Sequence, residues 1–227
     1  MTPWDAYDAY LFDIDGTLLN ATDAVHYFAF CEALTMLAGR PLNLDGVTTH
    51  GNVDNGILRD ALTLANVPEA EWRPRLPQMQ QRMCAFVTRD QADLRLTVLP
   101  QVPEVLNHLR AKGAILGVAT GNLEGIGRVK LAHAGLLDRF HFGGYSDVYE
   151  TRHDVFKAAV EMARGLTSAG ATICVVGDTP ADVRAAHSNG LDVIAVATGI
   201  FSMEILQAEA PTRAIATLAD LLTPLVM

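Results

Sequence analysis

Four short, unbroken apolar runs constrain this chain more than any other feature. Tyr10-Leu11-Phe12, Ile115 to Ala119, Thr172 to Val176 and Val193 to Val196 are bulky or β-branched for the most part and too short for helices. Such runs fit buried strands. From about residue 97 onward they alternate with helical patterns near 103–111, 123–134, 153–164, 180–188 and 216–226. The first two of these helices close at Gly113 and Gly135, which are suitable C-caps. Phe140-His141-Phe142 adds a further short strand candidate. The alternation predicts α/β architecture: a Rossmann-like parallel sheet with helices on both faces.

The pattern is interrupted after its first strand. Residues 22–38, 53–65 and 70–90 read as helices, and no strand is expected between about 20 and 95. This predicts an α/β core formed by 1–20 and 96–227, with an inserted α-helical cap at 21–95. Half of the 227 residues are hydrophobic, enough to bury a core of that size. The net charge of −9 argues against a sequence-independent nucleic-acid binder, which needs a basic face. Polar residues break every apolar stretch well short of a membrane span. The first residues lack the basic and apolar regions of a secretory signal, so a cytoplasmic protein is expected. Cys31, Cys84 and Cys174 are widely spaced and show no metal-ligand pattern; Cys174 belongs to a strand.

Open parallel sheets form their sites at the carboxyl ends of strands. The first strand ends in Asp13 and Asp15, followed by Gly16 and Thr17. The second ends in Thr120-Gly121-Asn122, and the third in Gly177-Asp178-Thr179-Pro180-Ala181-Asp182. Carboxylates at i and i+2 of an extended strand end point to the same side and repel, so they call for a cation or a shared proton. Magnesium fits such oxygen ligands, and Asp178 would add a third carboxylate beside Asp13 and Asp15. Asp13 could attack phosphorus, with Asp15 protonating the leaving alkoxide and then activating water. Thr120 and the N–H groups of Gly121 and Asn122 could hold phosphoryl oxygens, and a cationic side chain should complete the clamp. The plainer readings are turn and cap roles: Asp-Gly is a turn signal, and Thr179-Pro180-Ala181-Asp182 has the form of a helix start.

At these residues the chain resembles the haloacid dehalogenase superfamily, in particular its phosphatases. The likeness rests on Asp13-Ile14-Asp15-Gly16-Thr17-Leu18, on Thr120, and on Gly177-Asp178 with Asp182, in matching order and spacing. It implies that Asp13 is the nucleophile and a magnesium ligand. Asp15 would be the acid/base and a ligand through its carbonyl, and Asp178 the remaining protein ligand. One motif departs, because the family usually has a Lys at the start of the helix before the last acidic motif. Here that position aligns with Glu150, and Arg152 or Lys157 must supply the charge. Arg152, at the helix entry, is the expected choice, since a guanidinium can hold phosphate bidentately.

These features predict a magnesium-dependent phosphomonoesterase, monomer or homodimer, acting on a small phosphorylated metabolite of the phosphoglycolate or sugar phosphate type. A sugar phosphomutase on the same scaffold, with His26 or His50 serving from the cap, is the main alternative. A weakly active scaffold lacking its cation is another. Asp15 argues against dehalogenation, which has no alkoxide to protonate. The large insertion after the first strand argues against a phospho-accepting signalling module. The polar turn Gly51 to Gly56 is the cap segment expected to face the site.

Overall fold

The computed structural model describes residues 2–222. Along the chain run β1 (Ala9–Phe12), β2 (Leu19–Ala21), α1 (Val25–Ala38), α2 (Asp54–Leu64), α3 (Glu69–Trp72) and α4 (Leu76–Arg89). Then come β3 (Leu96–Val98), α5 (Val102–Ala111), β4 (Ile115–Ala119), α6 (Glu124–His133), β5 (Phe142–Gly144) and α7 (Arg152–Leu166). The last are β6 (Ile173–Gly177), α8 (Pro180–Ser188), β7 (Asp192–Val196), α9 (Met203–Ala208), β8 (Arg213–Ile215) and α10 (Ala219–Leu222). Of the helix expected at 216–226, positions 223–226 lie outside the described residues, and α10 covers Ala219–Leu222.

The predicted parallel sheet is present. Its six strands run in the order β5-β4-β1-β6-β7-β8, every pair parallel. Phe12 is opposite both Val118 and Val176, so the carboxyl ends of β4, β1 and β6 stand level. Alternate residues of β1 serve opposite faces. Tyr10 and Phe12 join Val105, Leu109, Val118 and Val176 in one buried layer, against α5. Ala9 and Leu11 join Phe156, Val175, Val183 and Val193 in the other, against α7 and α8.

Helices α1 to α4 bury a third cluster around Phe30, Leu58, Trp72 and Met79, which reaches the sheet side through Leu123 and Ile126. The chain leaves the sheet through β2 and returns through β3. These two segments pair antiparallel, Leu19 with Val98 and Ala21 with Leu96. That ribbon corrects the expectation of no strand from about residue 20: three-residue strands are too short to show alternation. The helix expected at 70–90 is divided, with a 3₁₀ turn at Arg73–Arg75, because Pro74 and Pro77 cannot donate to the preceding turn.

The short strand expected at 140–142 lies further along, at Phe142–Gly144. Its glycines disguise it, yet a Cβ at Gly144 would lie 2.9 Å from Ala159 Cβ on α7. The glycine therefore serves strand–helix packing. Phe156 is fully buried on α7, four residues after Arg152. Phe156→Ala should lower unfolding free energy by about 3–5 kcal/mol, read as a lower urea midpoint at unchanged m-value. A loss below about 1 kcal/mol would contradict this packing.

Candidate active site

Asp13 follows β1 directly, and its N–H still donates to Val176 O at 3.0 Å. The chain then turns at Gly16, where φ is +83° and the N–H donates to Leu19 O at 2.8 Å. Asp178 projects into this turn from the end of β6. A Cβ on Gly16 would lie 2.2 Å from Asp178 Oδ2, and one on Gly199 would lie 1.8 Å from it. Two glycines thus make room for one carboxylate. Thr17 Oγ1 donates to Asp178 Oδ1 at 3.0 Å, and Thr198 Oγ1 ties the turn down through Gly16 O at 2.6 Å. Thr17 is therefore a direct partner of Asp178 as well as part of the motif.

Arg152 is the first residue of α7, which Thr151 caps by accepting the Asp154 N–H at 3.2 Å. Its Nη2 lies 2.5 Å from Asp13 Oδ2, and its Nε donates to Asp182 Oδ1 at 2.6 Å. Asp182 Oδ2 accepts the Thr179 N–H at 2.9 Å, and Thr179 Oγ1 accepts the Asp182 N–H at 3.2 Å. This is the predicted capping box at the start of α8. One carboxylate both caps a helix and anchors the arginine. Lys157 is exposed, away from this cluster. Glu150, at the position aligned with the family lysine, instead pairs with Arg59 and Arg73 of the helical segment.

Asp15 has partners that the sequence reading missed. Lys130, buried on α6, donates to Asp15 Oδ2 at 2.7 Å and to Asn122 Oδ1 at 2.9 Å. Asn122 Nδ2 donates to Asp15 Oδ2 at 2.9 Å and to Thr120 Oγ1 at 2.8 Å. Lys130 Nζ also lies 3.2 Å from His26 Nδ1, and His26 Nε2 lies 3.2 Å from Asp54 Oδ2. Asp54 accepts the Leu123 N–H at 2.8 Å. A continuous polar chain therefore joins Asp15 to α1 and α2. A signal was present: Lys130 shares a helix face with Ile126, Gly127 and Leu131, and lysine is rarely buried without a partner.

A cavity of about 250 Å³ lies between the two halves of this network. Asp13, Asp15, Thr120, Gly121, Asn122, Arg152 and Asp178 line it from the sheet side. Gly51, Asn52 and Asp54, from the polar turn expected to face the site, line the other. Gly121 permits the approach: its O accepts the Asp54 N–H at 2.8 Å, and a Cβ there would lie 2.4 Å from Asn52 O.

The electrostatics of the floor are unbalanced. Among the described residues, the permanent cations that pair with Asp13, Asp15 and Asp182 are Arg152 and Lys130, and Arg152 also acts on Asp178. Burial raises the Asp13 pKa to about 6, opposed by Arg152 and reinforced by Asp182 and Asp15. Burial raises Asp178 to about 8, with the charges of Asp13 and Asp182 adding to it. Burial works against the Arg152 charge too, but Asp13, Asp182 and Asp178 more than offset it, so its pKa rises. Burial alone would raise Asp15; the charge and hydrogen bond of Lys130, with Asn122, hold it below the usual range. If all four acids ionise, two negative charges remain, which one divalent cation would balance. Carboxylate oxygens of Asp13, Asp178 and Asp182 lie within 4.8 Å of one another. Both Asp182 oxygens already accept hydrogen bonds, which leaves Asp13 and Asp178 as the better side-chain ligands. Hard oxygen donors of this kind suit magnesium-like ions.

The haloacid dehalogenase-like hydrolase family model matches residues 7–190, and the chain belongs to that family. It is 31% identical over 184 residues to a phosphoglycolate phosphatase of Cereibacter sphaeroides, covering 80% of this chain and 81% of that protein. It is 29% identical over 219 residues to "Probable phosphatase IndB" of Dickeya dadantii, covering 92% and 90%. A hydrolase from Pseudomonas syringae shares the fold, with a TM-score of 0.67 at 21% identity over 94% of this chain and 95% of that one. The chain is therefore an enzyme of phosphatase type. The family generally uses a divalent metal, and the buried acidic cluster fits one.

The raised pKa values fix a sign for pH dependence. Both exceed the 3.8 of free Asp, so without metal the folded protein holds protons that the unfolded chain releases. This stabilisation is complete below pH 3.8 and is lost as pH rises through about 6 and then about 8. In chelator, Tm should fall between about pH 5 and about pH 8.5, and magnesium should raise Tm more at the higher pH. An equal metal effect at both would contradict the two-carboxylate site.

Proposed function

We propose that this chain is a magnesium-dependent phosphomonoester hydrolase acting on a small phosphorylated metabolite through an aspartyl-phosphate at Asp13. The observation that carries the reading is the buried Asp13 carboxylate at the cavity floor, with Arg152 at 2.5 Å and Asp15 two residues on. Arg152 aligns Asp13 and would share its remaining N–H groups with the phosphoryl oxygens. Thr120 and the N–H groups of Gly121 and Asn122 would hold the other oxygens, as proposed from sequence. Asp13 and Asp178, with the Asp15 carbonyl, would hold the metal. When bound, it would offset the repulsion between the Asp13 carboxylate and an anionic phosphate.

In the first step an Asp13 oxygen attacks phosphorus while the bond to the leaving oxygen breaks. Asp15 gives that oxygen a proton. Both Lys130 and Asn122 contact Oδ2, so Oδ1 is the Asp15 oxygen left for this proton. In the second step Asp15 takes a proton from water, whose oxygen attacks phosphorus and releases phosphate from Asp13. Gly16, Thr17 and Asp182 support these groups without touching the substrate: they place Asp178 and Arg152.

The helical segment 21–95 would act as a cap on the core of 1–20 and 96–227. Contacts between them support this. Asn55 Nδ2 donates to Ser146 O at 2.6 Å, and Arg59 and Arg73 both reach Glu150. Opening of such a cap would admit substrate and release product. No helix of the described residues is long and apolar enough to cross a membrane. A cytoplasmic monomer or homodimer is the form in which we propose it acts.

The test is phosphate release from a panel of small phosphomonoesters, with magnesium and with chelator. Release should require the metal, and Asp13→Asn should lower kcat by about 10³-fold or more without loss of fold. Arg152→Ala should lower kcat/KM by about 10²-fold, while Lys157→Ala stays within about twofold. Activity in Asp13→Asn would remove the nucleophile, and the reverse ranking of the cations would remove the clamp. Transfer of phosphate between sugar positions without release would point to a mutase.

A further inference from the structure

Taking the phosphatase reading as its basis, we infer that the preferred substrate has a small, uncharged leaving group with an apolar body. The wall opposite Asp13 decides this. It carries Tyr27 and Phe30 of α1, Leu44, and Ile57 of α2. Phe30, Leu44 and Ile57 are buried, and Tyr27 is 39% exposed.

Cations are missing from that wall. Residues 21–95 contain seven arginines and no lysine, and none of the seven lines the cavity. Arg59 and Arg73 pair with Glu150; Arg82 and Arg89 pair with Glu32. His26 does line the cavity, but both ring nitrogens are committed. An ammonium can only donate, so Lys130 Nζ, 3.2 Å away, makes His26 Nδ1 an acceptor. The ring proton then sits on Nε2, facing Asp54 Oδ2 at 3.2 Å. His26 thus has no ring nitrogen free for an anion, and the Asp54 carboxylate behind it repels one. His50 stands in an exposed loop at the rim, where solvent would screen an ion pair. Arg152 and Lys130 already serve the catalytic aspartates.

A carboxylate on the leaving group would therefore be desolvated without a partner, which is strongly unfavourable. Asn52 offers a polyhydroxylated one little. Asn52 faces the cavity with its amide spent on Asp60 at 3.0 Å and Thr48 O at 3.2 Å, and its carbonyl accepts the Val53 N–H at 2.9 Å. The cavity, about 250 Å³, falls below the ~300–1,000 Å³ of sites for drug-sized ligands. The leaving group is accordingly a few heavy atoms to one ring in size.

The experiment compares kcat/KM for benzyl phosphate and phosphoglycolate on the full chain with magnesium. Both release a primary alkoxide, so the contrast reads the wall and not the chemistry. Benzyl phosphate should be favoured by about tenfold or more, and any advantage above about threefold supports the inference. A ratio at or below about threefold, or a preference for phosphoglycolate, overturns it while leaving the phosphatase reading intact. Hydrolysis of neither would instead fail that reading. Tyr27→Arg places a cation on the wall at a half-exposed position where folding is not at stake. It should shift the ratio toward phosphoglycolate by about fivefold or more; an unchanged ratio would mean that the wall does not meet the leaving group.

Discussion

The structure depends on a concentration of buried negative charge. Buried Asp13 and Asp178, with the partly exposed Asp15, meet at the carboxyl ends of two adjacent parallel strands, β1 and β6, and buried Asp182 joins them from the start of α8. Taking such groups from water is strongly unfavourable unless each is paired. Two cations do that work, and each is held by an element whose placement the charge requires. Arg152 starts α7 and ties Asp13 to Asp182; Lys130 rises from α6 to meet Asp15. The charge left over is what a divalent cation and a proton-sharing mechanism would use. Stability and chemistry therefore draw on one set of residues.

That arrangement also ties the helical segment to the reaction. Lys130 reaches beyond Asp15 to His26, and His26 to Asp54. The same contacts that fix Asp15 fix one wall of the cavity. They also use up the basic groups that an anionic leaving group would need. In the proposed reaction, selection of substrate and orientation of Asp15 would be two effects of one polar chain.

What the sequence showed clearly was local. Asp13-Ile14-Asp15-Gly16-Thr17 after an apolar run, and Thr179-Pro180-Ala181-Asp182 as a helix start, are strings whose chemistry lies within a few residues. The four central strands β4, β1, β6 and β7 were legible for the same reason, since each is a contiguous run; the edge strand β8 was not expected. Arg152 over Lys157 followed from helix geometry: one sits at the entry, the other is carried past it. Pairings distant in sequence were not legible. Lys130 meets Asp15 across 115 positions, and Glu150 meets Arg73 across 77. The β2–β3 ribbon was hidden, and the glycine-bearing β5 was expected two residues early, because three-residue strands carry almost no pattern. Lys130 was the one recoverable loss, as a charged residue on an otherwise apolar helix face.

The central claim is that the phosphoryl group passes through Asp13. The most direct test is to mix the protein with a phosphomonoester labelled at phosphorus, quench in acid within one turnover, and map the label by peptide mass. The account predicts a phosphorylated peptide containing Asp13, with the label released by hydroxylamine as an acyl phosphate. Turnover without label on the protein, or label on any other side chain, would contradict it.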